Sequence, residues 1–260
     1  MPQAAGMYYF SNNDEDWSRP AVLLLHGAGG NHLHWSPEIR RMADQRIYAP
    51  DLPGHGKSEG IGRQSIADYA ACVLAFMDEL KLRRAVFVGH SMGGGIALQM
   101  ALYHARRTLG IALINSAPSL RLPAGLFDNT LASATFPLAV KAIGELAFSP
   151  QADPRLKENA LQRMSEIRSS VLHGDFLACD SFDVSAHLGR IKTSTLIVSG
   201  SEDKMVSPHY AQTMRESIKN ALLHTVDGGG HMIMLENPMA VANVLRLFLH
   251  GVEYQPGSRD

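Results

Sequence analysis

The sequence predicts an α/β fold with a mostly parallel, doubly wound sheet and helices on both faces. Short β-branched or leucine-rich runs alternate with helical patterns along most of the 260 residues, and several of these runs are apolar on both faces. Strands of that kind are typical of parallel sheets covered by helices on each side. One long stretch without a convincing strand, from about 118 to 188, indicates an inserted unit.

The predicted strands share short length and β-branched or leucine-rich composition. They lie at Ala21–Leu25, 46–49, 85–88, 111–114, 195–198 and Leu222–Val226. A weaker run at 7–10 is a candidate for an N-terminal edge strand.

Helical patterns fall between these strands, at 66–80, 92–104, 208–217 and 238–249. Ser207-Pro208 and Asn237-Pro238 precede the last two. A polar cap residue followed by proline is typical of a helix start, because proline needs no partner for an N–H there.

Residues 118–188 contain mostly helix formers, with recurring leucines and phenylalanines. A structureless connection of that length is uncommon in a compact domain, so we predict a helical cap; two ordinary surface helices are the alternative. We therefore expect residues 1–117 and 189–253 to form the core and 118–188 the cap. We expect 254–260 to be a disordered tail.

The composition excludes several functional classes. The chain is 45% hydrophobic and 19% charged, with a net charge of -1, so it has no basic stripe for nucleic acid. No apolar run is long enough for a membrane span, and residues 1–13 do not have the pattern of a signal peptide. The two cysteines, Cys72 and Cys179, suit a reducing compartment or a protein that is indifferent to redox conditions. We expect a cytoplasmic protein.

The motif with the most information is Gly89-His90-Ser91-Met92-Gly93. It lies between a predicted strand and a predicted helix, which is the context of a nucleophile elbow in the G-x-S-x-G pattern. A serine hydroxyl is a weak nucleophile at neutral pH and needs an adjacent base. Ser91 is therefore the candidate nucleophile, and the chain should also supply a histidine and a carboxylate.

His231 is the candidate base, because it follows the last predicted strand and the loop Asp227-Gly228-Gly229-Gly230. Asp203 follows the strand at 195–198 and is the preferred carboxylate, although spacing does not exclude the adjacent Glu202. Loops at the carboxyl ends of parallel strands meet at one edge of the sheet. A second acid position, after the strand at 111–114, holds Asn115 and offers no charge.

The run His26-Gly27-Ala28-Gly29-Gly30 directly follows the first strong strand. Its backbone is predicted to form an oxyanion hole from the N–H groups of Ala28 and Met92. A phosphate-binding loop is disfavoured, because the run lacks G-x-G-x-x-G spacing and the lysine of a P-loop.

The order Ser91, Asp203, His231 is the chain order of α/β-hydrolases, and together the motifs resemble that superfamily, in particular its capped serine esterase-like branch. The matching segments lie between about residues 20 and 250. They are His26 to Gly30, Asp51 to Ser58, Gly89 to Gly94, Gly200 to Asp203, and Gly230 with His231.

The resemblance implies an α/β-hydrolase fold whose inserted helical cap roofs the active site. In this family the turn from Asp51 to Ser58 is mainly structural, so His55 is given no catalytic role. The implied activity is hydrolysis of small to medium apolar carboxylic esters through an acyl-enzyme, with no cofactor, by a monomer or homodimer.

Several alternatives remain open. With the same three residues, the protein could instead hydrolyse carbon–carbon bonds in meta-cleavage products, or act as a thioesterase, lactonase or cofactor-free haloperoxidase. A receptor that turns its ligand over slowly or not at all is the alternative from another class.

Other residues near the predicted site have less specific interpretations. His32 and His34 lack a third ligand at a metal-binding spacing, so we predict no metal site. These histidines or Trp35 could line the mouth of a pocket. Met205, Met232 and Met234 could form an adaptable apolar wall or pack in the core.

Overall fold

The computed structural model describes residues 2–122 and 124–254. Its strands are β1 Gln3–Ala4, β2 Met7–Asn12, β3 Ala21–Leu25, β4 Arg46–Pro50, β5 Ala85–His90, β6 Thr108–Ile114, β7 Ser194–Gly200 and β8 Leu222–Val226. They form one sheet in the order β1-β2-β4-β3-β5-β6-β7-β8. Strands β3 to β8 are parallel, and β1 and β2 pair antiparallel at one edge.

The six strong predicted strands are confirmed, and the structure extends four of them by one to three residues at one or both ends. The weaker candidate is also a strand, running to Asn12, but β1 rather than β2 lies at the edge. Ala5 and Gly6 join these two strands with positive φ angles of 48° and 74°. Two left-handed residues are typical of a tight hairpin turn whose twist matches that of the strands.

The helices outside the insertion are α1 Pro37–Arg40, α2 Ile66–Glu79, α3 Met92–Tyr103, α8 His209–Ser217, α9 Ile233–Glu236 and α10 Pro238–His250. The four predicted helices are present within one residue of their predicted ends. Pro208 is the cap of α8 rather than its first residue.

The core lies in two layers, one on each face of the sheet, because alternate side chains of a strand point to opposite faces. Leu23 and Leu25 of β3 pack with buried residues of α2 and α3. Val22 and Leu24 pack on the other face with residues of α1 and α10. This alternation accounts for the double-sided apolar runs in the sequence.

Between β6 and β7 the described residues form four α-helices and one β-bridge, between Ser119 and Asp183. The helices are α4 Ala124–Asp128, α5 Phe136–Ala147, α6 Pro154–Ser165 and α7 Ser169–Asp180. Proline lies in the first turn of both α5 and α6, so these prolines begin helices rather than interrupt them. The assignment of this segment as a separate cap stays a prediction.

Two further predictions concern the C-terminal tail and the absence of a membrane span. Of the predicted tail, only Tyr254 belongs to the described residues, and its hydroxyl lies 3.5 Å from the main-chain oxygen of Trp17; the rest of 254–260 lies outside them. Across 2–122 and 124–254, no helix has the length and apolar character needed to span a bilayer.

The chain order places a switch point at the centre of the sheet. From β3 the chain crosses to β4 on one side and then returns to β5 on the other. Loops that leave neighbouring strands in opposite directions open a crevice at the carboxyl ends of those strands, which is where open α/β sheets bind ligands. The loops after β3 and β5 contain the predicted oxyanion run and Ser91.

Candidate active site

Ser91 lies at the sharp turn between β5 and α3, with φ 50° and ψ -116°. Its N–H donates to the carbonyl oxygen of Ile114 at 3.0 Å, which fixes the turn to the neighbouring strand. A non-glycine residue with such a backbone is strained, and strain of this kind is concentrated at functional sites.

The glycines on either side of Ser91 are required by close backbone contact. A Cβ at Gly89 would collide with the carbonyl oxygen of Gly93, and one at Gly93 would collide with that of Leu25. The turn therefore packs against the end of β3 without side chains between them. This contact brings Ser91 to the loop after β3.

His231 is buried in the loop after β8, and its Nδ1 lies 2.8 Å from Asp203 Oδ2. An ionised carboxylate only accepts hydrogen bonds, so Nδ1 donates and Nε2 keeps its lone pair. The other oxygen of Asp203 accepts the N–H groups of Met205 and Val206, both at 2.9 Å. The imidazole is thereby held in the tautomer that can accept a proton at Nε2.

The structure places Asp203, and not Glu202, against His231. Glu202 is exposed, and its main-chain N–H donates to Gly229. Ser91 and His231 line one pocket, but no hydrogen bond joins them within the described residues. Such bonds are often long without substrate and tighten in the complex. The three catalytic roles stay predictions.

Asn115, at the end of β6, ties the loops after β7 and β8 together. Its side-chain amide donates to the carbonyl oxygens of Gly230 and His231 at 2.8 and 2.9 Å, and its Oδ1 accepts the N–H of Gly200 at 2.8 Å. Sequence reasoning considered this position only as a possible acid and missed its role. The signal was present, because asparagine combines donors with an acceptor and tolerates a positive φ, here 43°.

His90 contacts His231, and this is a second relationship that sequence reasoning missed. Its ring lies 4.7 Å from that of His231, and its Nε2 donates to the His231 carbonyl oxygen at 2.9 Å. Burial, together with the proximity of His231, lowers the pKa of His90 well below its ordinary value. A neutral ring beside His231 adds no positive charge that would oppose protonation of the base.

The predicted oxyanion loop lies against the Ser91 turn. Met92 is the first residue of α3, so its N–H has no acceptor within the helix. Ala28 is in contact with both pockets beside Ser91. The loop is closed by a hydrogen bond from the Gly30 N–H to Gly27 at 3.1 Å.

Two pockets meet at Ser91. Besides Ser91 itself, both are lined by Ala28, Phe176 and Met205. The first is largely apolar and extends between the end of the sheet and helices α5 to α7. Its other lining residues are His34, His90, Ile143, Ala147, Phe148, Ala160, Leu161, Met164, His231 and Met232. The second contains more polar groups: besides Ala117, Leu120, Leu122, Cys179 and Val206, it is lined by Ser119, Arg121 and Tyr210.

The residues for which the sequence left the role open divide into two groups, those that line a pocket and those that are buried in the core. Met205 and Met232 line the first pocket, whereas Met234 and Trp35 are fully buried in the core. His34 also lines that pocket, and burial lowers its pKa to about 4, so it is neutral. His32 lines neither of the two pockets at Ser91.

The Nδ1 of His32 lies 2.8 Å from Asp51 Oδ1. Asp51 also accepts the main-chain N–H groups of His32 and Lys57, at 2.7 and 2.9 Å. The turn from Asp51 to Ser58 is therefore held to the loop after β3 by hydrogen bonds, as expected for a structural element.

Comparison with known proteins identifies the family. The family model for the alpha/beta hydrolase fold matches residues 20–238, and this chain belongs to that family. The fold predicted from the motifs is thereby confirmed, including the mostly parallel sheet.

Three relatives illustrate the chemistry within the family. A putative carbamate hydrolase RutD from Variovorax paradoxus is 30% identical over 227 residues, which cover 81% of this chain and 84% of that protein. A 2-hydroxy-6-oxo-6-phenylhexa-2,4-dienoate hydrolase from Burkholderia cepacia is 28% identical over 249 residues, covering 88% and 87%. The solved structure of a thermophilic esterase superposes with a TM-score of 0.83 at 26% identity, covering 95% of this chain and 94% of that one. The names of these proteins describe different substrates: a carbamate, a dienoate and an ester.

Proposed function

We propose that this protein hydrolyses carboxylic esters of small to medium size through an acyl-enzyme on Ser91. One observation carries the proposal: His231, fixed by Asp203 at 2.8 Å, lines the same pocket as Ser91 on its strained turn. A nucleophile beside a base that a third group orients is the arrangement needed for acyl transfer.

In the first half of the reaction, His231 Nε2 accepts the proton of Ser91 as Oγ attacks the ester carbonyl. The N–H groups of Ala28 and Met92 donate to the oxyanion that develops. Each such donor typically contributes about 3–4 kcal/mol to transition-state stabilisation. The imidazolium formed is stabilised by the Asp203 carboxylate and then protonates the leaving alcohol.

In the second half, His231 takes a proton from water, which attacks the acyl group on Ser91. The same two N–H groups stabilise the second oxyanion. Collapse of that intermediate releases the acid and returns the proton to Ser91. Each step uses only the ester, water and groups of the protein, so the proposed reaction requires no cofactor.

The lining of the two pockets supports an ester with one apolar part. Ile143, Phe148 and Met164 surround the first pocket, which favours an alkyl or aryl group there by the hydrophobic effect. These residues come from the inserted segment. We therefore infer that residues 118–188 act as a cap that supplies most of the specificity for that group.

A second candidate is the hydrolysis of carbon–carbon bonds in a dienoate. The observation that favours it is Arg121, which lines the second pocket and has the geometry to bind a substrate carboxylate. Its guanidinium lies 3.7 Å from Asp180 and is largely exposed, so it remains able to bind an anion.

The test is turnover of p-nitrophenyl esters from acetate to laurate by the wild-type protein and by Ser91→Ala. Multiple turnovers that depend on Ser91 would support the proposal, and the best chain length would report the size of the first pocket. If the folded wild type hydrolyses no ester but cleaves a 2-hydroxy-6-oxodienoate, the second candidate replaces the first. Thermal stabilisation by such ligands without turnover would indicate a receptor.

A further inference from the structure

Asp175, in the inserted helix α7, is fully buried and has hydrogen-bond partners in three separate segments of the core. Its Oδ2 accepts the N–H of Gly29 at 2.8 Å and lies 2.8 Å from Nε2 of His55. Its Oδ1 accepts the hydroxyl of Tyr69. Desolvation of a carboxylate costs several kcal/mol unless it is well paired, so apolar packing alone would not favour an acid here.

The position of Gly29 gives this carboxylate a connection to the proposed reaction. Gly29 follows Ala28 in the oxyanion loop and has a φ of +64°. Because a peptide group is planar, the bond to Asp175 fixes the plane that joins Ala28 to Gly29. The direction of the Ala28 N–H, one peptide earlier, depends on that plane and on the Ala28 dihedrals.

Asp175 itself lies outside the lining of both pockets at Ser91, whereas its neighbour Phe176 lines both of them. Helix α7 therefore places Phe176 against the substrate pockets and the residue before it, Asp175, on the oxyanion loop. A shift of the helix relative to the core would change the pocket wall and the loop together.

His55 is the group that can balance the charge of Asp175, since its Nε2 lies 2.8 Å from the carboxylate. Burial disfavours the protonated imidazole, but the charge of Asp175 and its hydrogen bond outweigh burial and raise the pKa of His55. An uncompensated carboxylate one peptide from the oxyanion hole would oppose the developing negative charge. The paired arrangement holds the loop without that penalty.

From these contacts we propose that Asp175 is a positioning residue: it holds the oxyanion loop in its reactive conformation from the inserted segment and makes the seating of α7 a condition for catalysis. The role rests on the proposed ester hydrolysis. It does not require that Asp175 touch the substrate.

The test compares three variants at a temperature at which each is folded. Asp175→Ala removes the acceptor of the Gly29 N–H. Asp175→Asn keeps an oxygen that can accept that N–H and an amide that can donate to Tyr69. Val171→Ala is the control, because Val171 is buried on the same helix, packs against Gly54 and Gly62, and lines neither of the two pockets at Ser91.

With p-nitrophenyl butyrate we expect Asp175→Ala to lower kcat about 10- to 100-fold, a part of the effect of losing a whole donor, with KM changed less than about threefold. Asp175→Asn should recover most of kcat, and Val171→Ala should retain it even where its melting temperature falls. The Ki of a boronic acid, which mimics the tetrahedral intermediate, should rise in Asp175→Ala by the same factor as kcat/KM falls.

Equal kcat in folded Asp175→Ala and wild type would overturn the proposal, as would equal losses in Asp175→Ala and Val171→Ala. The labelling rate of Ser91 by a fluorophosphonate separates this result from failure of the proposed function. A wild type that is labelled but hydrolyses no ester would overturn ester hydrolysis, and the labelling rates of the three variants would then decide the role of Asp175. Absence of labelling in the wild type would overturn both.

Discussion

The side-chain amide of Asn115 donates to the main-chain oxygen of His231 at 2.9 Å. Through its Oδ1, the same side chain accepts the N–H of Gly200 in the strand that leads to Asp203. One neutral residue on a third strand thus fixes the separation of the two loops whose side chains form the His231–Asp203 pair. We therefore expect the geometry of the pair to depend on this contact.

We predict that Asn115→Ala lowers kcat by about 10- to 100-fold, because small displacements of catalytic groups have effects of this size. It should also lower the free energy of unfolding by about 1–3 kcal/mol, since buried partners lose their hydrogen bonds. Steady-state kinetics and urea denaturation measure these effects.

The matched control is Asn220→Ala, because Asn220 has a similar positive φ of 62° but is exposed and lies before β8, at the opposite end of that strand from His231. If the two variants retain equal kcat, the Asn115 bridge does not position the site.

Ser91→Ala should fold and lose activity by about 10⁴–10⁶-fold, as removal of a nucleophile commonly does. Because Ser91 has a positive φ, Ser91→Gly should be equally inactive but more stable than Ser91→Ala, by about 1 kcal/mol. Turnover assays and thermal or urea unfolding measure both quantities. Near-native activity in either variant would refute the assignment of the nucleophile.

Asp203→Asn should lower kcat by about 10⁴-fold, since an amide cannot stabilise the imidazolium and can hold the wrong tautomer. Glu202→Gln is the adjacent control and should change kcat less than about threefold, because Glu202 is exposed. The two kcat values, measured on one ester, decide the assignment. The reverse order would make Glu202 the acid.

Acid should destabilise the folded protein between about pH 6.5 and 4. Burial lowers the pKa values of His26 and His90 well below the ordinary value of a histidine. It lowers the pKa of His34 to about 4. The unfolded chain therefore binds more protons in this window, and stability falls as the pH falls, by about 1.4 kcal/mol per pH unit for each such histidine. His55, whose pKa is raised, acts in a different range: its contribution to stability is fully present below about pH 6.5 and is lost as the pH rises above that value.

The check is urea denaturation of the wild type and His34→Gln at pH 7.5 and 5. The variant should lose about 2 kcal/mol less stability over this range than the wild type, because glutamine does not titrate. Identical losses would show that His34 is not held neutral in the folded state.

The sequence alone predicted the central strands, the main helices and the place where Ser91, Asp203 and His231 should meet. The reason is local: short double-sided apolar runs that alternate with helical patterns are typical of buried strands between two helical layers, and the glycines beside Ser91 are needed for the turn itself. The boundaries of elements were less certain, as at Pro208, because caps depend on geometry that neighbouring residues share.

The contacts between distant segments could not be predicted in this way. The sequence presents Asn115 as the loss of a possible acid, and it gives no sign that Asp175, 146 residues beyond Gly29, accepts a hydrogen bond from it. A hydrogen-bond partner has no periodicity along the chain; it is selected when packing excludes water and a buried polar group must be satisfied. The candidate catalytic residues can be found from local sequence, whereas the hydrogen bonds that orient them are decided only by the tertiary structure.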